Sequence, residues 1–252
     1  MDIKTFMCDI PIYIINLKDS IERRNNVENE FSNYNYNIKF IEAIDGRNSV
    51  EFKNKYNVEY TSYSNYSDAT IAVICSHVKA IKLAYDNNLS KVCIFEDDVH
   101  IDLINKCNFT MNDICNLNNN WEAIQLFYTS GDISILDTHH NNFIENGLKL
   151  LPREYFHSGT CYIINRKGME NILNNIVIVD DSMTKFIIKH KIFDPENTIL
   201  AHINSYIINR QVFYYYFSTM TYDCYLNDIN NDKINCQRIH LITKQKLLEF
   251  YS

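Results

Sequence analysis

The sequence predicts an α/β fold with a mainly parallel central sheet and flanking helices. Two observations carry this. Short apolar runs alternate with helical stretches through the first half of the chain, the pattern of strand-helix-strand units. One of those runs, Val92-Cys-Ile-Phe95, passes straight into Glu96-Asp97-Asp98, and in an open sheet of this kind the carboxyl ends of strands are where ligands sit. With 252 residues, 46% hydrophobic and 22% charged, the chain has ordinary globular composition and enough length for one compact domain over residues 1–252. Within it, an amino-terminal half at about 8–101 and a carboxyl-terminal half at about 102–252 are expected.

In chain order, Ile12 to Leu17 reads as a strand, and Asp19-Ser-Ile-Glu22 has capping-box spacing for a polar helix reaching about Phe31. Ile38 to Ile44 gives a second strand, closed by Asp45-Gly46. From Ser67, the residues Ile71, Ile74, Cys75, Val78, Ile81 and Tyr85 recur at helical spacing, so this helix lays one face on the sheet before Val92 to Phe95 begins. Further strands are expected at Ala123 to Phe127 and Gly159 to Ile164, with a helix from Lys167 to about Asn174. Another helix is expected after Asp181, capped by Asp181 or Ser182. Val212 to Phe217 is β-rich by propensity, and Leu241 to Tyr251 reads as a closing helix. Asparagines such as Asn118-Asn119-Asn120 supply turns in a chain with five glycines and three prolines.

A net charge of −7 argues against nucleic acid as a partner, because phosphate backbones are bound by basic surface. Apolar runs such as Ile176 to Val179 are far too short to cross a bilayer, and the N-terminus lacks a signal-peptide pattern, so a soluble, cytoplasmic protein is expected. Of eight cysteines, Cys75, Cys93 and Cys161 lie in apolar stretches and no Cys-x-x-Cys occurs, which predicts reduced, buried thiols rather than disulfides or structural zinc. The richness in asparagine, isoleucine and tyrosine suggests an AT-rich genome, bacterial or viral.

Three adjacent carboxylates repel one another and resist burial unless a cation or solvent neutralises them. Oxygen-only ligands point to a hard divalent ion, Mn²⁺ or Mg²⁺. Strand alternation places Glu96 and Asp98 on one face, to grip the ion, and turns Asp97 away. A solvated strand end with capping duty is the plainer alternative.

The order Ile12-Tyr-Ile-Ile-Asn-Leu17, Arg23-Arg24, Phe40-Ile-Glu-Ala-Ile-Asp-Gly46, Ser76-His77, Phe95-Glu-Asp-Asp-Val99 and Ser158-Gly-Thr-Cys-Tyr-Ile-Ile-Asn165 resembles glycosyltransferase family 25, over roughly Pro11 to Asp181. The resemblance implies a GT-A fold, a UDP-sugar donor, Mn²⁺ and inversion at the anomeric carbon. Glu96, Asp97 and Asp98 then stand for the family's Asp-x-Asp, with Glu96 and Asp98 on the metal and Asp97 on the nucleotide-sugar side. Asn16, Leu17, Arg23 and Arg24 match the nucleotide end, where one of the two arginines pairs with phosphate through its forked donors, or else both simply solvate the helix. Asp45 either accepts from base or ribose or simply forms an Asp-Gly turn. Ser76 and His77 sit on the donor side, with a structural histidine as the alternative, and His157 and Ser158 shape the acceptor side. Asp180 or Asp181, in Val177-Ile-Val-Asp-Asp-Ser182, inherits the role of general base, or else caps a helix. After Val212 the chain departs from the family pattern with Tyr214-Tyr-Tyr-Phe-Ser-Thr219, which leaves the acceptor open.

The expected activity is transfer of a hexose, galactose or glucose, from UDP to a hydroxyl on a glycan or protein. Its rivals are a catalytically silent nucleotide- or sugar-binding module and a metal-dependent phosphoesterase of nucleotide diphosphates. Oligomeric state is left open.

Overall fold

Alternation of apolar runs with helices builds, in a computed structural model, a seven-stranded sheet with helices on both faces; residues 3–32, 36, 38–62, 66–130, 132–154, 156–192, 194–215 and 232–252 are described. Helix α1 (Ile3–Met7) leads into strand β1 (Ile12–Asn16), all of it buried, then α2 (Ile21–Ser32) and β2 (Ile38–Glu42). Helix α3 (Ser49–Lys55) and strand β3 (Asn57–Ser62) make an excursion before α4 (Asp68–Asp86), whose Ser67 cap accepts from the Thr70 N–H. Strand β4 (Lys91–Glu96) carries the chain to the acidic turn and a two-residue strand, β5 (Val99–His100). A 3₁₀ turn (Asp102–Lys106), α5 (Met111–Asn116), β6 (Ala123–Gln125), α6 (Ser134–Asn146), β7 (Leu150–Pro152) and β8 (Cys161–Asn165) follow. The rest is α7 (Arg166–Asn171) with a π turn to Ile176, β9 (Val177–Val179), β10 (Lys185–Ile192), α8 (Pro195–Leu200), β11 (Ser205–Ile208), β12 (Tyr214–Tyr215) and α9 (Asp232–Phe250).

The sheet order is β2-β1-β4-β8-β6-β11-β7, in which five strands share a direction and β8 and β7 are reversed. Because β8 runs backwards, its amino end lies beside the carboxyl end of β4, and the Glu96 N–H donates to the Thr160 carbonyl at 2.7 Å. The segment before β8 and the acids after β4 therefore share one edge.

Both sheet faces are buried, which is why the central strands read as continuous apolar runs. Ile12, Ile14, Cys93 and Phe95 pack under Val27 and Phe31 of α2, while Tyr13, Ile15, Val92 and Ile94 pack under Ile71, Ile74, Cys75, Val78 and Ile81 of α4. Each such Ile or Phe contributes about 1.5–3 kcal/mol of burial, so the two faces fix the strand register. The described cysteines carry free thiols, buried except at Cys8. No helix among the described residues is long and apolar enough to cross a membrane.

The helix expected after Asp181 is absent. Asp180 to Thr184 form a hairpin turn and residues 185–192 form β10, paired with β9 and, in parallel, with β3 in a second sheet of order β3-β10-β9. Phe186, Ile188 and Ile192 are buried along β10, a strand rather than helical spacing. Of the β-rich run from Val212 to Phe217, Tyr214–Tyr215 form a strand; residues 216–219 lie outside the described residues.

Candidate active site

Strand β4 ends at Glu96, and Asp97 and Asp98 form a turn before β5. The strand alternation expected through Asp98 therefore stops one residue short, and Asp97 does not point away. Both aspartates are buried and both meet Arg23 of α2: its guanidinium bonds Asp97 Oδ1 and reaches Asp98 Oδ2 at 2.9 Å. Asn16, the last residue of β1, donates from Nδ2 to Asp97 Oδ2 at 2.7 Å and to the Ser20 carbonyl at 3.2 Å. Leu17 contributes its carbonyl, which accepts from the Ser20 N–H and closes the turn into α2. Of the two arginines, Arg24 faces elsewhere, pairing with Glu28 and lying over the Phe40 ring.

Glu96 is partly open and turns toward α4. His77, buried there, holds Glu96 Oε1 through Nε2 at 3.3 Å and meets the Tyr162 hydroxyl through Nδ1 at 3.2 Å. Of the two roles expected for His77, donor side or structural histidine, the packing against Tyr162 fits the structural one, and the side chain positions Glu96. Ser76, also buried, accepts from the Ile44 N–H and donates to the Ala72 carbonyl, so it ties the loop after β2 to α4. In that loop the Arg47 guanidinium beside Asp45 holds its carboxyl below the usual range, and Arg47 also pairs with Asp19.

These residues fit a divalent cation. Glu96, Asp97 and Asp98 oppose one guanidinium, and Asp98 Oδ1 is buried with no hydrogen-bond partner. Burial, with Glu96 and Asp97 adding to it and Arg23 opposing, pushes the Asp98 carboxyl up to about 8. Burial likewise raises Asp97 against Arg23 and Asn16. A cluster one cation short, made of oxygens, suits Mg²⁺ or Mn²⁺.

A second group faces this one across Gly159. A Cβ at Gly159 would lie 3.6 Å from Glu96 Oε1, 3.7 Å from His77 Nε2 and 3.7 Å from Glu196 Cβ, so the three meet around a residue with no side chain to separate them. His157, Asp194 and Glu196 offer ligand atoms that all lie within 4.8 Å of one another. His157 Nδ1 is 3.7 Å from Asp194 and 3.9 Å from Glu196. Asp194 caps α8, its two oxygens accepting from the Asn197 N–H and amide at 2.7 Å each. Glu196, 6% exposed, accepts from the Ser158 N–H at 2.7 Å. Burial first and then Asp194 push the Glu196 carboxyl up to about 7, against the Ser158 N–H and His157. Asp194 raises the imidazole of His157 in turn.

The loop that carries His157 and Ser158 is fixed from behind. Arg153 donates to Gln125 Oε1 and the Phe156 carbonyl at 2.8 Å, and Gln125 Nε2 holds the carbonyls of His157 at 3.1 Å and Ser158 at 2.5 Å. Ser158 takes φ 86°, a left-handed conformation that such bonds must enforce in a non-glycine residue.

The structure does not bring Asp180 and Asp181 to this group. Asp180 accepts from Ser182 and from the N–H groups of Thr184 and Lys185, which pulls its carboxyl down to about 2 and makes it the clasp of the hairpin. Asp181 is fully exposed, 3.6 Å from Lys82. The eight residues of β10 separate that turn from Asp194 by about 26 Å. Asp194 and Glu196 went unread because Asp194-Pro-Glu196 has the composition of an ordinary helix start, and the helix expected upstream hid the strand that delivers it.

Comparison with known proteins identifies the family. A Haemophilus influenzae protein described as "Putative glycosyltransferase" is 29% identical over 131 residues, 51% of this chain and 41% of that protein, so the match spans less than half of the relative. A crystal structure of a glycosyltransferase involved in the glycosylation of the major capsid of PBCV-1 aligns over 66% of each chain at 12% identity and a TM-score of 0.35, too distant to carry an assignment. Residues 9–212 match the family model described as glycosyltransferase family 25 (LPS biosynthesis protein), and with its α/β sheet and acidic turn in place the chain belongs to that family.

Proposed function

We propose that the protein is an inverting, metal-dependent glycosyltransferase that moves a hexose, galactose or glucose, from a UDP-sugar to a hydroxyl on a glycan or protein. The observation that carries this reading is the meeting, around Gly159, of an acidic turn one cation short and a buried carboxylate with a pKa near 7. Glu96, Asp97 and Asp98 would hold a divalent ion, which would supply positive charge for the departing diphosphate. His77 keeps Glu96 aimed at that task, and Asn16 does the same for Asp97.

The general base moves from Asp180 or Asp181 to Glu196. One Glu196 oxygen is committed to the Ser158 N–H, which leaves the other for the acceptor hydroxyl. As Glu196 takes the proton, the acceptor oxygen bonds to the anomeric carbon and the bond from that carbon to the UDP oxygen breaks, inverting the configuration in one displacement. A base with a pKa near the working pH suits such a transfer, since it is ionised yet still basic. His157 and Asp194 hold Glu196 in that range, and Arg153 with Gln125 fixes the backbone that orients it.

UDP release tests the reading, with UDP-galactose and UDP-glucose as donors. Release should require Mn²⁺ or Mg²⁺ and be lost in Asp98→Ala, and the sugar product should carry the inverted configuration by NMR. Full metal-dependent release in Asp98→Ala would remove the cation site; release of phosphate or nucleoside monophosphate without sugar transfer would make the protein a phosphoesterase.

A further inference from the structure

Arg23 sits where an incoming cation would have to act. Its guanidinium joins Asp97 and Asp98, the two buried acids of the turn, while Asn16 holds the far oxygen of Asp97 so that the carboxylates stay set whichever cation they face. The neutralisation is incomplete, because Asp98 Oδ1 keeps no partner. Solvent reaches the Arg23 side chain. The residue stands in the first turn of α2 with its side chain 24% exposed, and with Asp97 and Asp98 it lines a small cavity that Asn26, Val27, Glu30 and Val99 complete.

We propose that Arg23 is a resident counter-cation of the acidic turn, displaced when a divalent cation binds there and recaptured by the diphosphate of the donor, so that metal and nucleotide binding are coupled through this one side chain. The proposal rests on reading Glu96 to Asp98 as the cation site. A dication among these carboxylates repels a guanidinium at contact distance, so metal binding alone must break the two Arg23 pairs. A diphosphate offers the freed guanidinium a forked anionic acceptor, so nucleotide restores what the metal cost. Coupling of this kind is reciprocal: each ligand tightens the other by the same factor.

Mn²⁺ titration followed by electron paramagnetic resonance, with and without UDP and corrected for the Mn²⁺-UDP complex, tests it without any turnover. For wild type, UDP should tighten Mn²⁺ at least about tenfold, within the usual range of such couplings. Arg23→Gln should bind Mn²⁺ alone at least about fivefold more tightly than wild type, and UDP should improve it by less than about threefold. Arg24→Gln removes the same charge one residue along, from a guanidinium on Glu28, and should match wild type. If Arg23→Gln does not fold without metal, Arg23→Lys carries the same test, since one ammonium cannot span both carboxylates in the forked manner. Mn²⁺ affinity in the Arg23 variants no higher than in wild type, or no higher than in Arg24→Gln, overturns the coupling and leaves the cation site standing. Absence of Mn²⁺ binding in every protein, with or without UDP, removes the cation site and the coupling together.

Discussion

Glu196 combines burial with a nearby like charge, the two influences that raise a carboxyl, and this makes it both a candidate base and a cost to the fold. Its pKa stands above the ordinary value of 4.5, so its contribution to stability is fully present below about pH 4.5 and is lost as pH rises through about 7. Glu196→Gln should therefore unfold like wild type near pH 4.5 but be the more stable protein at pH 8, by up to about 3 kcal/mol in denaturant melts, since one pKa unit is about 1.4 kcal/mol. The same variant should lose at least about 100-fold in kcat while binding UDP unchanged. For wild type, kcat/KM should rise with pH through about 7 as Glu196 ionises, and Glu196→Gln should flatten that limb. A variant that keeps the limb would show that another group titrates.

The hairpin between β9 and β10 shows what an acid does when it serves the element rather than the reaction. Asp180 draws together Ser182 and the N–H groups of Thr184 and Lys185, so Asp180→Ala should lower the melting temperature yet leave kcat within about twofold of wild type. Gly46 is a second element-scale constraint. A Cβ there would lie 2.6 Å from Ala69 Cα and 2.7 Å from Ala72 Cβ, against the first turns of α4, and the backbone has nowhere to retreat. Gly46→Ala should cost about 1–3 kcal/mol, and a fall in the urea midpoint at unchanged m-value would measure it. Gly46 thus acts by letting the loop after β2 lie on α4, where Ser76 secures it, and not by forming a turn alone.

At the scale of the molecule, the end of the last helix is fastened to segments far away in the chain. Tyr251 donates to the Gln211 carbonyl, its ring lies under the Arg210 guanidinium, and Lys106 holds its carbonyl from the 3₁₀ turn after β5. Tyr251→Ala removes a ring that is 9% exposed and should cost about 3 kcal/mol, read as a lowered thermal midpoint. The strands through Glu96 and the long helix from Ser67 were legible from apolar periodicity, because burial on both faces of the sheet writes itself into consecutive residues. The acidic cluster at the end of β4 was legible too, since three adjacent acids after an apolar strand need a reason. Three things were not. Whether Asp97 turns away depended on where the strand ends, and a turn at Asp97-Asp98 carries no mark in the residues themselves. The choice of Arg23 over Arg24 depended on which way α2 is rotated over the sheet. The pairing of Glu196 with His157 depended on β10 bringing Asp194 and Glu196 back to the edge where β8 begins, across a separation of some forty residues that no local pattern encodes. By itself the sequence determined the class of fold and the acidic half of the candidate site, because these follow from local burial and local charge; the carboxylate that faces it was decided by tertiary structure alone, because proximity between distant segments is a property of packing.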